Sequence, residues 1–261
     1  MYMSSSSPSA LLFDHVRALF TRDSLLSFVR LITQSPPAMK TLAGLLLIDS
    51  VFIGIFVYYG IQQVMNDNPA KFPQFWSLAA DYSLPEFFGY AKLAVIAALL
   101  FMAFKQTGQS ILLSWSVIFV VLLADDSLRL HEYGGEWVAE YLGFSTIQDI
   151  KPEHLGELVM WLVLGAIAFV VLLFGLLRTP VSRMGSSGFF LFVIFGLVIT
   201  GIGIDLISSS SYLQDIDNGT ALSKTFYGFL LIAEDGGESV FVSLGVAGAL
   251  AVWLNSARAR S

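Results

Sequence analysis

Six long apolar segments dominate this sequence and restrict it to folds in which helices cross a membrane side by side. An α-helix needs about 20 apolar residues to cross the hydrocarbon core of a bilayer. Segments of this kind occupy residues 41–65, 88–106, 110–130, 156–178, 187–208 and 226–254. We therefore predict an all-α fold, a polytopic membrane protein built as a six-transmembrane-helix bundle.

Composition excludes several other classes of protein. Only 13% of the residues are charged, whereas soluble domains carry about 25%, so a water-soluble enzyme is excluded. The net charge of −6 argues against nucleic acid as a partner. The chain has no cysteine, which excludes disulfides, thiolate metal sites and cysteine nucleophiles.

The chain divides into three parts along its length. In the N-terminal segment, residues 1–40, apolar and charged side chains alternate between residues 10 and 34. This pattern predicts an amphipathic helix that lies on the membrane face or packs on a partner. Residues 41–254 form the transmembrane domain, and residues 255–261 form a short cytoplasmic tail.

Positive charge predicts the orientation of the bundle, because basic residues favour the cytoplasmic side. With the N-terminus inside, nine basic residues fall on inner segments and five on outer ones. The inner residues are Arg17, Arg22, Arg30, Lys40, Lys105, Arg178, Arg183, Arg258 and Arg260, and the outer ones are Lys71, Lys92, Arg129, Lys151 and Lys224. We expect a bacterial inner-membrane protein with both termini cytoplasmic, in contact with membrane lipids and with possible protein partners in the membrane.

Clusters of ionisable residues occur in or beside four of the apolar segments, all toward the predicted outer side, whereas Asp49 in the first segment lies nearer the inner side and is left out of the site. Such residues cost a few kcal/mol each inside a membrane, so their positions are informative. At about 1.5 Å per residue, their depths agree within a turn or two, which predicts one polar site in the outer half of the bundle. The residues are Asp125, Asp126, Arg129, His131 and Glu132 after the third segment, His154 and Glu157 before the fourth, Asp205 in the fifth, and Glu234, Asp235 and Glu238 in the sixth.

Helical phase predicts which of these side chains are neighbours, because residues three or four apart share a helix face. Glu234 is expected to share a face with Glu238, and His154 is expected beside Glu157. On the third span, one stripe is predicted from Asp125, Arg129, Glu132 and Glu136, with Asp126 and His131 directed elsewhere.

The balance of charge in this predicted site is strongly negative. Its eight carboxyl groups are opposed by one arginine and two histidines. So many carboxylates cannot stay ionised in a low-dielectric region without further compensation. Either cations are bound or several carboxyl groups are protonated; a solvated vestibule without chemical consequence is the third alternative.

A bound divalent metal is the first of these hypotheses, and its identity among Zn, Ca, Mn and Fe stays open. The expected ligands are His131, Glu132, His154, Glu157, Glu234 and Glu238. Asp126 or Asp235 is the expected general base. The remaining site residues, which would orient the others, are Asp125, Arg129 and Asp205.

Two of the motifs also resemble a known pattern. Asp125-Asp126 followed by His131-Glu132, together with Glu234-Asp235 and Glu238, resembles a family of uncharacterised multi-pass bacterial membrane proteins. In that family an Asp-Glu pair precedes His-Glu near the end of one helix, and the last helix carries a paired acid and a glutamate. Here the second acid of the first pair is aspartate. The resemblance implies a shared site and no particular activity.

Three functions are compatible with these features. The first is a metal-dependent membrane hydrolase of a lipid or lipid-linked substrate, in which the metal polarises an oxygen and activates water. The second is a proton or cation transporter. The third is a non-catalytic subunit of a larger membrane complex with a structural ion site.

Overall fold

The computed structural model of the protein describes residues 29–65, 72–147, 150–208 and 221–258. Within these ranges the chain forms helices and turns, with one isolated bridge between Ile147 and Ile150. The all-α prediction is confirmed for this part of the chain. We number the main helices α1 (Pro36–Met65), α2 (Leu84–Thr107), α3 (Ser110–Leu128), α4 (Leu130–Leu142), α5 (Pro152–Arg178), α6 (Ser187–Ser208) and α7, which consists of Ala221–Leu231, Ile232–Gly236 and Gly237–Arg258 in succession.

All of these helices except α4 are long and apolar enough to cross a membrane, which gives the six predicted. Their ends differ from the predicted segments by about one turn or slightly more. The differences arise where polar residues extend a helix beyond its apolar part, as Glu153 and His154 do in the first turn of α5. Hydropathy therefore identified each helix but not its full length.

Short connections join neighbouring helices into hairpins. Ser83 caps the N-terminus of α2, where its side-chain oxygen accepts a hydrogen bond from the Glu86 amide at 3.3 Å. At the other end, Gly108 adopts a left-handed conformation with φ of 69°, which glycine tolerates without steric cost. The chain then turns directly into α3, so α2 and α3 lie antiparallel.

The core lies between α2, α3, α6 and α7. Its largest fully buried side chains include Trp115 and Phe119 of α3 and Phe189 and Phe190 of α6. The helix α5 packs on α3, where Ser114 donates a hydrogen bond to the Val171 carbonyl at 2.7 Å. The helices α1 and α5 lie at the outside of this core, and most of their apolar surface is exposed.

The predicted N-terminal amphipathic helix is described only at its end. Residues 10–28 lie outside the described ranges, and residues 29–33 are helical. Ile32 is buried in the same core as Trp115, which fixes this short segment on the bundle. At the other terminus α7 continues to Arg258.

An additional helix, α4, lies between the third and fourth predicted segments, where no helix was predicted. It packs on α5 at a close crossing of two glycines, since a Cβ on Gly156 would lie 1.9 Å from the Gly135 carbonyl oxygen. Val138 and Ala139 face inward, whereas Trp137 and Tyr141 are exposed. The α4 helix therefore covers the predicted outer end of the bundle beside the polar residues.

Candidate functional site

The polar site begins at a sharp break between α3 and α4. Arg129 has a φ of 52°, an uncommon conformation for a residue other than glycine, and this ends α3. The chain turns back so that Asp125, which is almost fully buried, accepts a hydrogen bond from the His131 amide at 2.9 Å. The same carboxylate lies 3.0 Å from His131 Nδ1.

This break corrects the predicted stripe on the third span. A stripe through Asp125, Arg129, Glu132 and Glu136 requires one continuous helix, whereas the left-handed residue changes the helix direction at Arg129. As a result, His131 contacts Asp125 and does not point away from it. Nothing in the residue pattern signalled the break, because arginine has no preference for positive φ.

The surroundings of His131 favour its charged form. The ring stacks on Trp161 with centroids 4.7 Å apart. Burial alone lowers the pKa of His131, but the hydrogen bond to Asp125 and the charges of Asp125, Glu132 and Glu157 more than offset this effect. The net pKa therefore lies above the ordinary value of 6.5.

Arg129 is held at the rim of the site by two carboxylates. Its Nη1 lies 3.0 Å from Asp81, and its Nη2 is hydrogen-bonded to Glu132. The hydrogen bond to Glu132 raises the pKa of Arg129 above its ordinary value. Glu132 is thus paired with arginine at the rim, and its charge also acts on Asp126 and Asp205. That Arg129 orients the other site residues stays a prediction.

A second histidine–carboxylate pair is formed within α5. His154 Nδ1 lies 3.0 Å from Glu157 Oε2, as the spacing of three residues predicts. The charge of Asp205 in α6 interacts with those of both Glu157 and His154. Asp205 therefore connects the α5 pair to the acids of α7.

The α6 and α7 acids lie where both helices widen. Residues Val198–Ile204 of α6 and Ile232–Gly236 of α7 are π-helical and pack against each other. Such wide turns are rare and frequently occur at functional sites. The second wide turn contains Glu234, which accepts a hydrogen bond from Ser208 at 2.8 Å.

Glu238 lies one turn deeper than Glu234 and packs on the backbone of α6. A Cβ on Gly201 would lie 1.9 Å from Glu238 Oε1, so a larger residue there would force this carboxyl group to shift. Gly237 is similarly close to Thr200. Glu234 and Glu238 thus both approach α6, at Ser208 and at Gly201, which is compatible with the predicted shared face.

The remaining acids come from α2, α3 and α7. Tyr90 donates a hydrogen bond to Glu86 and lies 3.3 Å from the Asp126 carbonyl oxygen. The charges of Glu86, Asp126 and Asp235 interact with one another. Asp235 Oδ2 is buried and has no hydrogen-bond partner among the described residues.

The structure therefore brings together most of the predicted site residues. Six acids are linked by the electrostatic effect that each has on at least one other, and we call them the acidic cluster: Glu86, Asp126, Asp205, Glu234, Asp235 and Glu238. The two histidine–carboxylate pairs lie at its side, and Glu132 lies at the rim with Arg129. Within the described ranges no group of three or more His, Asp or Glu side chains is arranged to hold a metal ion, so the ligand set stays a prediction.

Glu86 was missed because it precedes the second predicted segment, residues 88–106. The pattern Ser83-Leu-Pro-Glu86 contains the signal that could have found it. A Ser followed three residues later by Glu is typical of a helix N-terminus. Extending α2 by this turn brings Glu86 beside Tyr90, one turn further along the helix.

A buried ion pair was also missed, deeper in the bundle. Lys92 Nζ lies 3.0 Å from Asp49 Oδ1, and the two side chains are 2% and 1% exposed. Ser239 and Ser243 of α7 each donate a hydrogen bond to Asp49, at 2.8 and 2.5 Å. The sequence analysis assigned Lys92 to an outer span end and left Asp49 out of the site. The signal available in the sequence was the presence of an acidic residue in one apolar segment and a basic residue in another.

Comparison with known families identifies the class of domain to which the chain belongs. Residues 41–255 match the family described as Domain of unknown function (DUF8692), and the chain belongs to this family. Membership of an uncharacterised family is thereby confirmed. No curated protein and no solved structure matches the chain.

Proposed function

We propose that the chain is an integral membrane protein of the bacterial inner membrane. Its six long helices expose large apolar side chains, such as Leu162 at 73% and Phe169 at 65% on α5. A continuous surface of this kind is stable against lipid tails and unstable against water. The excess of basic residues at one end supports an orientation with both termini in the cytoplasm.

Within this bundle we propose that the acidic cluster binds and exchanges protons, as in a proton-coupled transporter. The observation that carries the proposal is the lack of an arginine or lysine partner for the cluster among the described residues. Arg129 is engaged by Asp81 and Glu132, and Lys92 is engaged by Asp49. The six acids are half-buried, and carboxyl groups crowded together with too little positive charge are stabilised when they take up protons or other cations.

The deep ion pair extends this series of polar groups toward the middle of the bundle. Ser239 follows Glu238 in α7, and its hydroxyl group contacts both Asp49 and Lys92. Polar side chains thus continue from Glu86 at the outer end of α2 to Asp49 near the middle of α1. This continuity favours a transport function, because a role confined to the surface of the bundle would not require polar groups at this depth.

Infrared difference spectroscopy on the full-length protein in lipid vesicles tests the proposal. A protonated carboxyl group has a carbonyl-stretch band that the carboxylate lacks. We expect this band in the wild type and its loss as the pH is raised. Asp235→Asn with Glu238→Gln should remove most of it.

Glu140→Gln is the matched control, since Glu140 is exposed on α4. This variant should leave the band unchanged. A wild type whose spectrum shows no carboxyl band at any pH from about 5 to about 9, a range above the ordinary carboxyl pKa of about 4, would refute proton binding.

A metal site is the second candidate, favoured by the geometry of the two histidines. His131 and His154 each direct Nδ1 at a carboxylate at 3.0 Å. Histidine ligands in metal proteins usually have such a partner, which leaves Nε2 for the metal. A divalent metal bound there would support the metal-dependent hydrolase of a lipid-linked substrate.

Metal analysis of the detergent-purified protein separates the two candidates. Stoichiometric metal in the wild type that is lost in His131→Ala would support the metal site. Metal-free wild-type protein that still shows the titrating carboxyl band would support proton exchange alone.

A further inference from the structure

A cavity lies at the opposite end of the bundle from the acidic cluster. It has a volume of about 400 Å³ and is lined by Arg30, Leu31, Gln34, Asn255 and Arg258. Two of these side chains are guanidinium groups and two are amides. We call this cavity the basic pocket. It lies between the segment before α1 and the last turns of α7.

Both walls of the basic pocket are anchored in the core. Ile32 is buried among core residues, and Leu31 packs against them. On the other wall, Val252 of α7 is buried in the same core, one turn before Asn255 and Ser256. The lining residues therefore project from two fixed elements.

Charge is strongly segregated between the two ends of the molecule. The helix ends near the basic pocket carry six basic residues: Arg30, Lys40, Lys105, Arg178, Arg183 and Arg258. Within the described part of the chain no acidic residue lies at these helix ends; Asp49 is in the middle of α1 and the others are toward the opposite end. An anion that enters the basic pocket meets a positive potential.

We propose that the basic pocket binds a phosphate group, carried either by the headgroup of an anionic lipid or by free phosphate. Guanidinium groups bind phosphate oxygens through two parallel hydrogen bonds, and amide groups of Gln34 and Asn255 can donate others. Leu31 provides an apolar wall beside them. A volume of about 400 Å³ falls within the range typical of small-ligand sites.

Native mass spectrometry of the full-length protein tests the proposal. The protein is released from detergent after incubation with equal amounts of phosphatidylglycerol and phosphatidylcholine of identical chains. We expect selective retention of one phosphatidylglycerol molecule. Arg30→Gln with Arg258→Gln should reduce this selectivity at least about tenfold, since each lost guanidinium–phosphate contact is a charge-assisted hydrogen bond.

Two further variants make the test specific. Arg178→Gln with Arg183→Gln removes the same charge at the same end without lining the basic pocket, and it should keep the selectivity. Arg30→Lys with Arg258→Lys keeps the charge but loses the bidentate geometry, so its selectivity should be intermediate. An equal loss in the Arg178 and Arg183 variant would overturn the proposal.

A parallel arm distinguishes the two sources of phosphate. Thermal unfolding is measured with sodium phosphate and with sodium chloride at equal ionic strength. Stabilisation by inorganic phosphate that disappears in the Arg30 and Arg258 glutamine variant would identify free phosphate as a ligand. Absence of both this effect and the lipid selectivity refutes the phosphate site, whatever the outcome for the acidic cluster.

Discussion

Lys92 and Asp49 form an ion pair whose charges are completely removed from solvent. Lys92 donates hydrogen bonds to Asp49, to the Ser239 carbonyl at 2.9 Å and to the Ser239 hydroxyl at 2.7 Å, and it lies over the Phe88 ring. Burying two charges is costly, and full hydrogen bonding offsets this cost. The pair connects α1, α2 and α7 through specific contacts in a region where apolar packing alone would permit sliding.

Removing one member of this pair should destabilise the bundle strongly. In Lys92→Met the Asp49 carboxylate loses its cation, and we expect a loss of about 3–5 kcal/mol in unfolding free energy. Unfolding by denaturing detergent measures this loss. The double variant Lys92→Met with Asp49→Asn should recover a substantial part of it. A single variant as stable as the wild type would show that the pair does not hold these helices.

His131 should make the stability of the protein depend on pH. Its pKa is raised in the folded state, so its interaction with Asp125 stabilises the fold fully below the unfolded pKa of about 6.5. This contribution is lost as the pH rises through the higher folded pKa. The midpoint of thermal unfolding should therefore fall with rising pH in this range. Asp125→Asn should flatten the profile, whereas Glu140→Gln should not.

At the scale of single elements, the close crossing of α4 and α5 depends on glycine. Gly156→Ala would place a methyl group against the Gly135 backbone, which cannot move aside as a flexible side chain could. We expect a destabilisation of about 1–3 kcal/mol, typical of overpacking. Gly165→Ala, in the same helix, is the matched control because no atom lies within 4 Å of its added Cβ.

Thermal unfolding of the two alanine variants checks this prediction. The Gly165 variant should be as stable as the wild type or slightly more stable, because alanine favours helix. Equal stability of the Gly156 and Gly165 variants would mean that α4 does not pack closely on α5.

The elements were predictable from the sequence to different extents. Runs of apolar residues identified the six long helices, because hydropathy acts over a whole segment and is insensitive to single residues. Local spacing likewise predicted the contact of His154 with Glu157. Both depend on regular helical geometry, which was present at those positions.

The other features of the fold and site depend on departures from regular helical geometry, which residue patterns do not encode. The left-handed Arg129 created α4 and brought His131 to Asp125. The wide turns of α6 and α7 pack against each other, which a regular helical spacing does not predict. The pairing of Lys92 with Asp49 required knowledge of which helices are neighbours, and a single sequence contains little of this information.

At the scale of the whole molecule, the absence of cysteine makes the orientation directly measurable. Single cysteines can be introduced into an otherwise unreactive chain and labelled with a membrane-impermeant thiol reagent. In intact cells Glu140→Cys on α4 should be labelled, whereas Arg183→Cys should react only after the membrane is opened. Both side chains are exposed. The reverse pattern would place the acidic cluster on the cytoplasmic side.

The separation of acidic and basic residues between the two ends also has an electrical consequence. Each elementary charge that crosses a potential of 100 mV changes in energy by about 2.3 kcal/mol. In the proposed orientation the arginine-rich end faces the negative side of an energised membrane, and the carboxyl-rich end faces the positive side. The resting voltage of a living cell would thus favour this insertion direction over its inverse.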